Sequence, residues 1–355
     1  MPAFMTGLFG LLGGMLIGAL VQRSRLCTFG AIEDALAGHD WRRMKVFGLA
    51  LGLALLVTQG LVLGEVLDPD RISYLPARLP IVGLVAGGLM FGVGMALVGT
   101  CGFGSLVRLG SGDLRSLVVV LVFGVFAYAS LRGVLSGFRL GVVEQFSIPM
   151  PGPSRSDIPT QLERIIGLDP RAVLAGLVAA LLITLALRDA RLKRSPRLLA
   201  AGVALGLVTG FAWAATGWLS DPFDLHSRPQ SLTFVAPIAR ALFGVLAGQD
   251  SIYDFGVASV VGVVLGSFLA SYRARECRWE AFDDQREMRR HITGGVLMGI
   301  GGVLAGGCTI GQGLAAGSAF ALSMPIALLS MMAGARLGIA ILVGEMQDLF
   351  PRLRR

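Results

Sequence analysis

Runs of predominantly apolar residues long enough to cross a bilayer recur along this chain, at 46–63, 116–131, 172–187 and 323–343 among others. A membrane helix needs about 20 such residues, because a rise of about 1.5 Å per residue must span about 30 Å of hydrocarbon. Backbone N–H and C=O groups in that layer have no water to bond, so a chain with several such runs folds as a helix bundle. Composition agrees. Hydrophobic residues make up 54% of the chain and charged ones 15%, with a mean hydropathy of +0.72, outside the range of soluble domains. The first run, 7–21, has neither a basic leader before it nor a small-residue cleavage site, so it reads as mature structure rather than a signal peptide. The net charge of +8 sits in short clusters between the runs, which is an orientation signal and not a nucleic-acid surface. The fold class expected is therefore an all-α polytopic membrane protein, a single transmembrane domain over 1–355.

The chain also repeats itself. Residues 87–111 align with 294–318 at a constant offset of 207, without a gap. Gly88/Gly295, Gly92/Gly299, Gly94/Gly301, Gly99/Gly306, Cys101/Cys308, Gly104/Gly311 and Ser111/Ser318 are identical pairs. Upstream, at an offset of 205, Arg23, Thr28 and Phe29 face Arg228, Thr233 and Phe234, and Cys27 faces Leu232. The two halves thus supply four equivalent positions, three of which carry a thiol.

Basic clusters at 42–45, 188–197, 273–290 and 352–355 mark the cytoplasmic side, where Lys and Arg accumulate in membrane proteins. The loops at 65–80, 138–171 and 249–254 then lie outside. Nine crossings connect these anchors: 7–38, 46–64, 81–110, 117–137, 171–189, 198–245, 251–271, 292–320 and 323–345. The first half occupies 7–137 and the second 198–345. The single connecting helix at 171–189 inverts one relative to the other. Inverted repeats are a transporter architecture, with the site near the midplane where the halves meet.

Four crossings are broken by Gly or polar residues, around 23–28, 99–104, 217–233 and 306–313. Such breaks are tolerated at membrane depth only inside protein or along a cavity. Short second helices are expected to begin near Thr28, Gly102, Thr233 and Thr309, with Thr as a capping residue. The cysteines would then sit just before half-helix N-termini. Those ends offer unpaired N–H groups and a partial positive charge. Several converging ends make an anion site without a buried cation, and thiols make it suit a soft, sulfur-bearing anion.

The segments SRLCTFGAIEDAL (24–36), GTCGFGSLVRLGSGD (99–113), CRWEAFDD (277–284) and AGGCTIGQGLAAGS (305–318) resemble the YeeE/YedE sulfur-transport family over nearly the whole chain. The resemblance implies a bacterial inner-membrane protein that takes up thiosulfate, with nine membrane helices plus short half-membrane helices. It also implies a central path lined by Cys27, Cys101 and Cys308, and a small cytoplasmic sulfurtransferase resembling TusA as partner. The loop at 138–170 matches no family motif.

Other residues admit two readings. Thr28, Gly102, Gly104, Thr309 and Gly311 are placed to approach the anion, though the glycines equally permit close helix packing. Gln312 suits either the anion or a neighbouring carbonyl. Arg336, inside the last apolar run, suits the path or snorkelling with a partner at Glu345. Arg23 and Arg25 can draw anions toward Cys27 or brace a helix end. Cys277 lies in a charged loop and is incidental. Glu33, Asp34 and His39 belong at the interface. No metal or cofactor is expected: the 3 histidines do not cluster with cysteine, and no phosphate-binding loop is present. Two other functions stay open, a carrier of another sulfur or selenium compound and a membrane thiol oxidoreductase. The latter lacks a close-spaced redox couple.

This topology places the N-terminus outside and the C-terminus inside. Reporters fused at the C-terminus and within loop 138–170 are expected to report opposite sides of the membrane. The same side for both would break the inverted-repeat reading.

Overall fold

In a computed structural model of the chain, residues 2–36, 38–149, 156–167, 169–220, 228–248 and 253–344 are described. The basic cluster at 352–355 and the partner expected at Glu345 fall outside them. The elements in order are α1 (Pro2–Ser24), α2 (Thr28–Leu36), α3 (Arg42–Leu63), β1 (Arg78–Leu79), α4 (Ile81–Val98), α5 (Gly102–Gly110), α6 (Leu114–Leu131) and a short α7 (Ser136–Phe138). There follow β2 (Ile148–Pro149), α8 (Ile158–Ile166), α9 (Arg171–Leu187), a short α10 (Ala190–Lys193), α11 (Pro196–Leu219) and α12 (Val235–Ala247). The chain continues with α13 (Phe255–Ala274), α14 (Gln285–Leu304), a π-helical segment (Gly311–Ala316) and α15 (Ser323–Val343). The only sheet among the described residues is the two-residue antiparallel pair of β1 and β2.

The chain is an all-α polytopic membrane protein. Among the described residues, seven helices or helix pairs are long and apolar enough to cross a bilayer. Two shorter apolar helices, α9 and α12, accompany them. Helix α14 opens on Gln-Arg-Glu-Met-Arg-Arg-His, so its apolar stretch is shorter than its 20 residues. The expected crossing at 198–245 is in fact two helices, α11 and α12, with the chain between them irregular from Arg228 to Phe234.

Helices pair in mirrored couples. Helix α1 lies along α13 as α11 lies along α3, and α4 lies along α15 as α14 lies along α6. The two sets meet where α4 touches α14 and α1 touches α11. Helix α9 packs on α3 alone among the long helices. Glycine explains how close these couples come. A β-carbon at Gly14 would stand 2.3 Å from Ser259 O, and one at Gly266 would stand 2.1 Å from Met15 O. On the other couple, a β-carbon at Gly92 would meet Met331 O at 2.2 Å, and one at Gly334 would meet Leu89 O at 2.3 Å. Lipid is as apolar as Leu, so close backbone contact, not apolar burial, holds such helices together.

The repeat-mate glycines Gly99 and Gly306 end α4 and α14 in left-handed backbone, at φ +75° and +70°. Glycine alone adopts that conformation without cost, and it turns the chain into the half-helix that follows. On the basic face, Lys45 Nζ lies 2.6 Å from the Asp189 carboxylate and ties the loop after α9 to α3. That hydrogen bond holds the Asp189 carboxyl below its ordinary range. On the opposite face, the segment before α8 reaches the tip of the last re-entrant helix. Ile158 N bonds Phe320 O at 2.9 Å and Leu322 N bonds Ser156 O at 2.9 Å. The buried Arg171 guanidinium bonds Asp157 Oδ2 at 2.7 Å beneath this seam.

Gly266→Ala should lower the stability of the purified protein by about 1–3 kcal/mol, the usual range for overpacking. Gly176→Ala on α9, where a β-carbon meets nothing within 4 Å, should cost no stability. Thermal unfolding in detergent reads both; equal Tm values for the two would remove the backbone-contact account.

Candidate functional site

The half-helices begin close to where the sequence places them. Helices α2 and α5 start at Thr28 and Gly102, and helical backbone resumes at Thr309 and runs through the π-helical segment. Helix α12 starts two residues later than expected, at Val235 instead of Thr233. The capping residues differ from expectation. The Cys101 thiol occupies the cap position of α5 and accepts from Gly104 N at 3.3 Å. Cys308 accepts from Gly311 N at 3.4 Å, with the same spacing of three. The residue before the first helical one is the cap position, and here that residue is cysteine. Thr28 and Thr309 are already helical, and their hydroxyls instead bond each other across the halves at 3.2 Å.

The four half-helix N-termini form a closed ring. Helix α2 meets α5 through the thiols: Cys27 Sγ lies 3.8 Å from Cys101 Sγ and 3.4 Å from Thr100 Oγ1. Helix α5 meets α12 through Phe103 and Phe234, whose ring centroids are 4.8 Å apart. The helix after Cys308 meets the start of α12 where Gly311 faces Thr233, and Thr28–Thr309 closes the circle. Backbone N–H groups point at sulfur on both sides, from Gly104 at Cys101 and from Gly311 at Cys308. Cys101 and Cys308 are each only 1% exposed.

A cavity opens toward the ring from each face. That on the basic face, about 680 Å³, reaches Cys27, Thr100 and Gly104. Its walls carry Arg25, Arg108, Arg115, Arg275 and Arg278 against Asp113, Glu276 and Glu280. Arg115 is engaged by Asp113, Glu280 and Glu287. The cavity on the opposite face, about 460 Å³, ends at Tyr74, Thr233, Gly306 and Gly307 beside Cys308. Arg132, Arg228 and Arg240 line it, and no carboxylate is among its described lining. Two basic vestibules thus lead from opposite faces to a constriction where Cys101 and Cys308 are closed off.

Of the sequence-derived candidates, Cys27, Cys101, Thr28, Gly102, Gly104, Cys308, Thr309 and Gly311 come together at the ring. Gly104 is where the thiols need room: a β-carbon there would stand 2.2 Å from Thr100 Oγ1 and 3.2 Å from Cys27 Sγ. Gln312 is occupied by protein, its Nε2 donating to Ala305 O at 2.8 Å and its Oε1 accepting from Ser323 at 3.1 Å. Arg336 is on the exposed side of α15 and lines neither vestibule. Arg25 lines the basic vestibule, whereas Arg23 faces a separate surface cleft with Asp34 and Asp40. Cys277 stays in its loop. The sequence reading missed Thr100, Tyr74 and the vestibule arginines other than Arg25. Thr100 adjoins Cys101 and was within reach of a motif argument, but Tyr74 comes from a loop with no repeat mate.

Among known proteins, the sulphur transport family matches residues 23–337. The chain is 31% identical over 334 residues to the thiosulfate transporter TsuA of Spirochaeta thermophila, covering 92% of this chain and 96% of that one. It is 27% identical over 330 residues to the thiosulfate transporter TsuA of Escherichia coli, covering 86% of each.

The thiol spacing makes a chemical prediction. Mild oxidation, or a short bifunctional thiol reagent, should join Cys27 to Cys101 and leave Cys308 as a single adduct. Peptide mapping by mass spectrometry checks it; a Cys27–Cys308 link in place of Cys27–Cys101 would contradict the ring.

Proposed function

Since the chain belongs to the sulphur transport family and is a transporter of sulfur compounds rather than an enzyme, we propose that it carries thiosulfate across the bacterial inner membrane into the cytoplasm. The observation that carries this reading is the ring of four half-helix N-termini holding three thiols between two basic vestibules. The relatives' substrate points the same way. The mirrored helix couples support an inverted repeat of 7–137 and 198–345 joined by 171–189; nine crossings, with the N-terminus outside and the basic clusters in the cytoplasm, complete the proposed topology.

Thiosulfate is a dianion with three hard oxygens and one soft terminal sulfur. The arginines of the outer vestibule raise its local concentration. At the ring, backbone N–H groups and helix ends supply positive potential without a fixed cation that would trap the ion. Cys308, then Cys101 and Cys27, act as successive stations. Neutral thiols donate weak S–H hydrogen bonds, and weak repeated contacts favour release. Thiolates would add negative charge beside a dianion. Thr28, Thr309, Gly102, Gly104 and Gly311 shape the constriction, Gln312 braces its backbone, and Arg336 faces lipid. A small sulfurtransferase of the TusA type is the partner expected at the cytoplasmic vestibule.

Growth of a host without other thiosulfate uptake, on thiosulfate as sole sulfur source, tests this. Cys27→Ala, Cys101→Ala and Cys308→Ala should each lower uptake about tenfold or more, the equivalent of one lost hydrogen bond to a charged group. Cys277→Ala should leave it unchanged, and serine at the three positions should keep part. Normal uptake by Cys101→Ala or Cys308→Ala would remove the thiol path. A persulfide that forms and clears on a path cysteine at the transport rate would replace hydrogen bonding with covalent transfer.

A further inference from the structure

The repeat does not reproduce one station in the other. Cys101 and Cys308 are mates, and so are Gly104 and Gly311, but the groups that fill the space over the two glycines differ. Over Gly104 stand the Thr100 hydroxyl and the Cys27 thiol, 2.2 and 3.2 Å from where a β-carbon would be. Neither has a counterpart in the second half. The mate of Thr100 is Gly307, and the mate of Cys27 is Leu232, which is fully buried. Over Gly311 stand two hydroxyls, Tyr74 Oη at 2.7 Å and Thr233 Oγ1 at 2.8 Å from the same construction. Tyr74 comes from the outer loop of the first half, between α3 and α4. Its hydroxyl also lies 3.5 Å from where a β-carbon of Gly307 would be, the place a Thr100 mate would occupy. It lines the outer vestibule beside Thr233, Gly306 and Gly307.

We propose that Tyr74 is a substrate-binding residue of the outer station, supplying in trans the hydroxyl that Gly307 lacks. This rests on the thiosulfate reading above. The outer station then offers two hydroxyls and one thiol, Tyr74, Thr233 and Cys308. The inner station offers one hydroxyl and two thiols, Thr100, Cys27 and Cys101. Hydroxyls are the stronger donors to hard sulfonate oxygens, and thiols the better neighbours for a soft terminal sulfur. An ion moving inward therefore exchanges oxygen contacts for sulfur contacts. The outer station selects for the sulfonate group that thiosulfate shares with other oxyanions, and the inner one selects for the sulfur that sulfate lacks.

Tyr74→Phe tests this, because it removes the hydroxyl and keeps the ring. In uptake of radiolabelled thiosulfate by cells expressing the full chain, KM should rise about fivefold, as for one lost hydrogen bond, with the maximal rate within about twofold. Thr233→Val should behave alike, and Thr233→Ser should recover the wild-type KM. A purely structural Tyr74 would instead lower the amount of folded protein and the maximal rate together, with KM unchanged, and that result overturns the assignment. Wild-type kinetics in Tyr74→Phe beside an inactive Cys308→Ala would sink this inference alone. A wild-type protein that moves no thiosulfate would sink the proposed function and this inference with it.

Discussion

A helix that stops inside a bilayer leaves up to four N–H groups without partners and without water. Everything around the ring follows from that constraint. The chain stops helices there and gives their ends to each other and to sulfur. Thiols cap α5 and the helix after Cys308, and hydroxyls of Thr28 and Thr309 join the two halves. The ends must be buried in protein, which requires the surrounding helices to close tightly, and that is the task of the glycine contacts between α1 and α13 and between α4 and α15. Site and scaffold are thus one requirement: a converging set of positive helix ends exists only within a bundle dense enough to hide them.

The internal repeat in the sequence is chemically uneven at the ring. Identical stations on either side of a constriction would hold an ion equally well from both faces. Here Leu232 replaces the fourth thiol, Gly307 replaces a threonine, and an outer loop fills the gap. The vestibules differ too: one carries its acids within the lining, whereas in the other the described acid partner, Asp254 on Arg240, stands outside it. Chemical asymmetry laid on geometric symmetry gives the path two distinguishable ends.

Much of this was legible in the sequence because it is local or periodic. Apolar run length gave the bundle, and the offset pairing of Cys101 with Cys308 gave the half-helices to within two residues. The division of labour between Cys and Thr was not legible, since a one-residue shift at a helix start exchanges cap for first turn. For Gln312 a neighbouring carbonyl was one of two readings, and it is the one found at Ala305; the second partner, Ser323, was not legible. Tyr74 was invisible for a different reason. Its meaning depends on a glycine more than two hundred residues away lacking a side chain, and a sequence records no contact with an empty position.

The seam on the outer face has a consequence for how such a molecule is made. Ser156 and Ile158 hydrogen-bond the backbone of Phe320 and Leu322, above the ion pair of Asp157 and Arg171. A membrane chain is inserted from its N-terminus, so Asp157 meets Arg171 almost at once, whereas the backbone of Ser156 and Ile158 waits through the synthesis of most of the second half for Phe320 and Leu322. Until then the linker between halves is held on that side by its β2 pairing with β1 and has no bond to the second half. The connector's join to the second half is therefore among the last long-range contacts that synthesis makes available, set only once the chain around Phe320 and Leu322 exists.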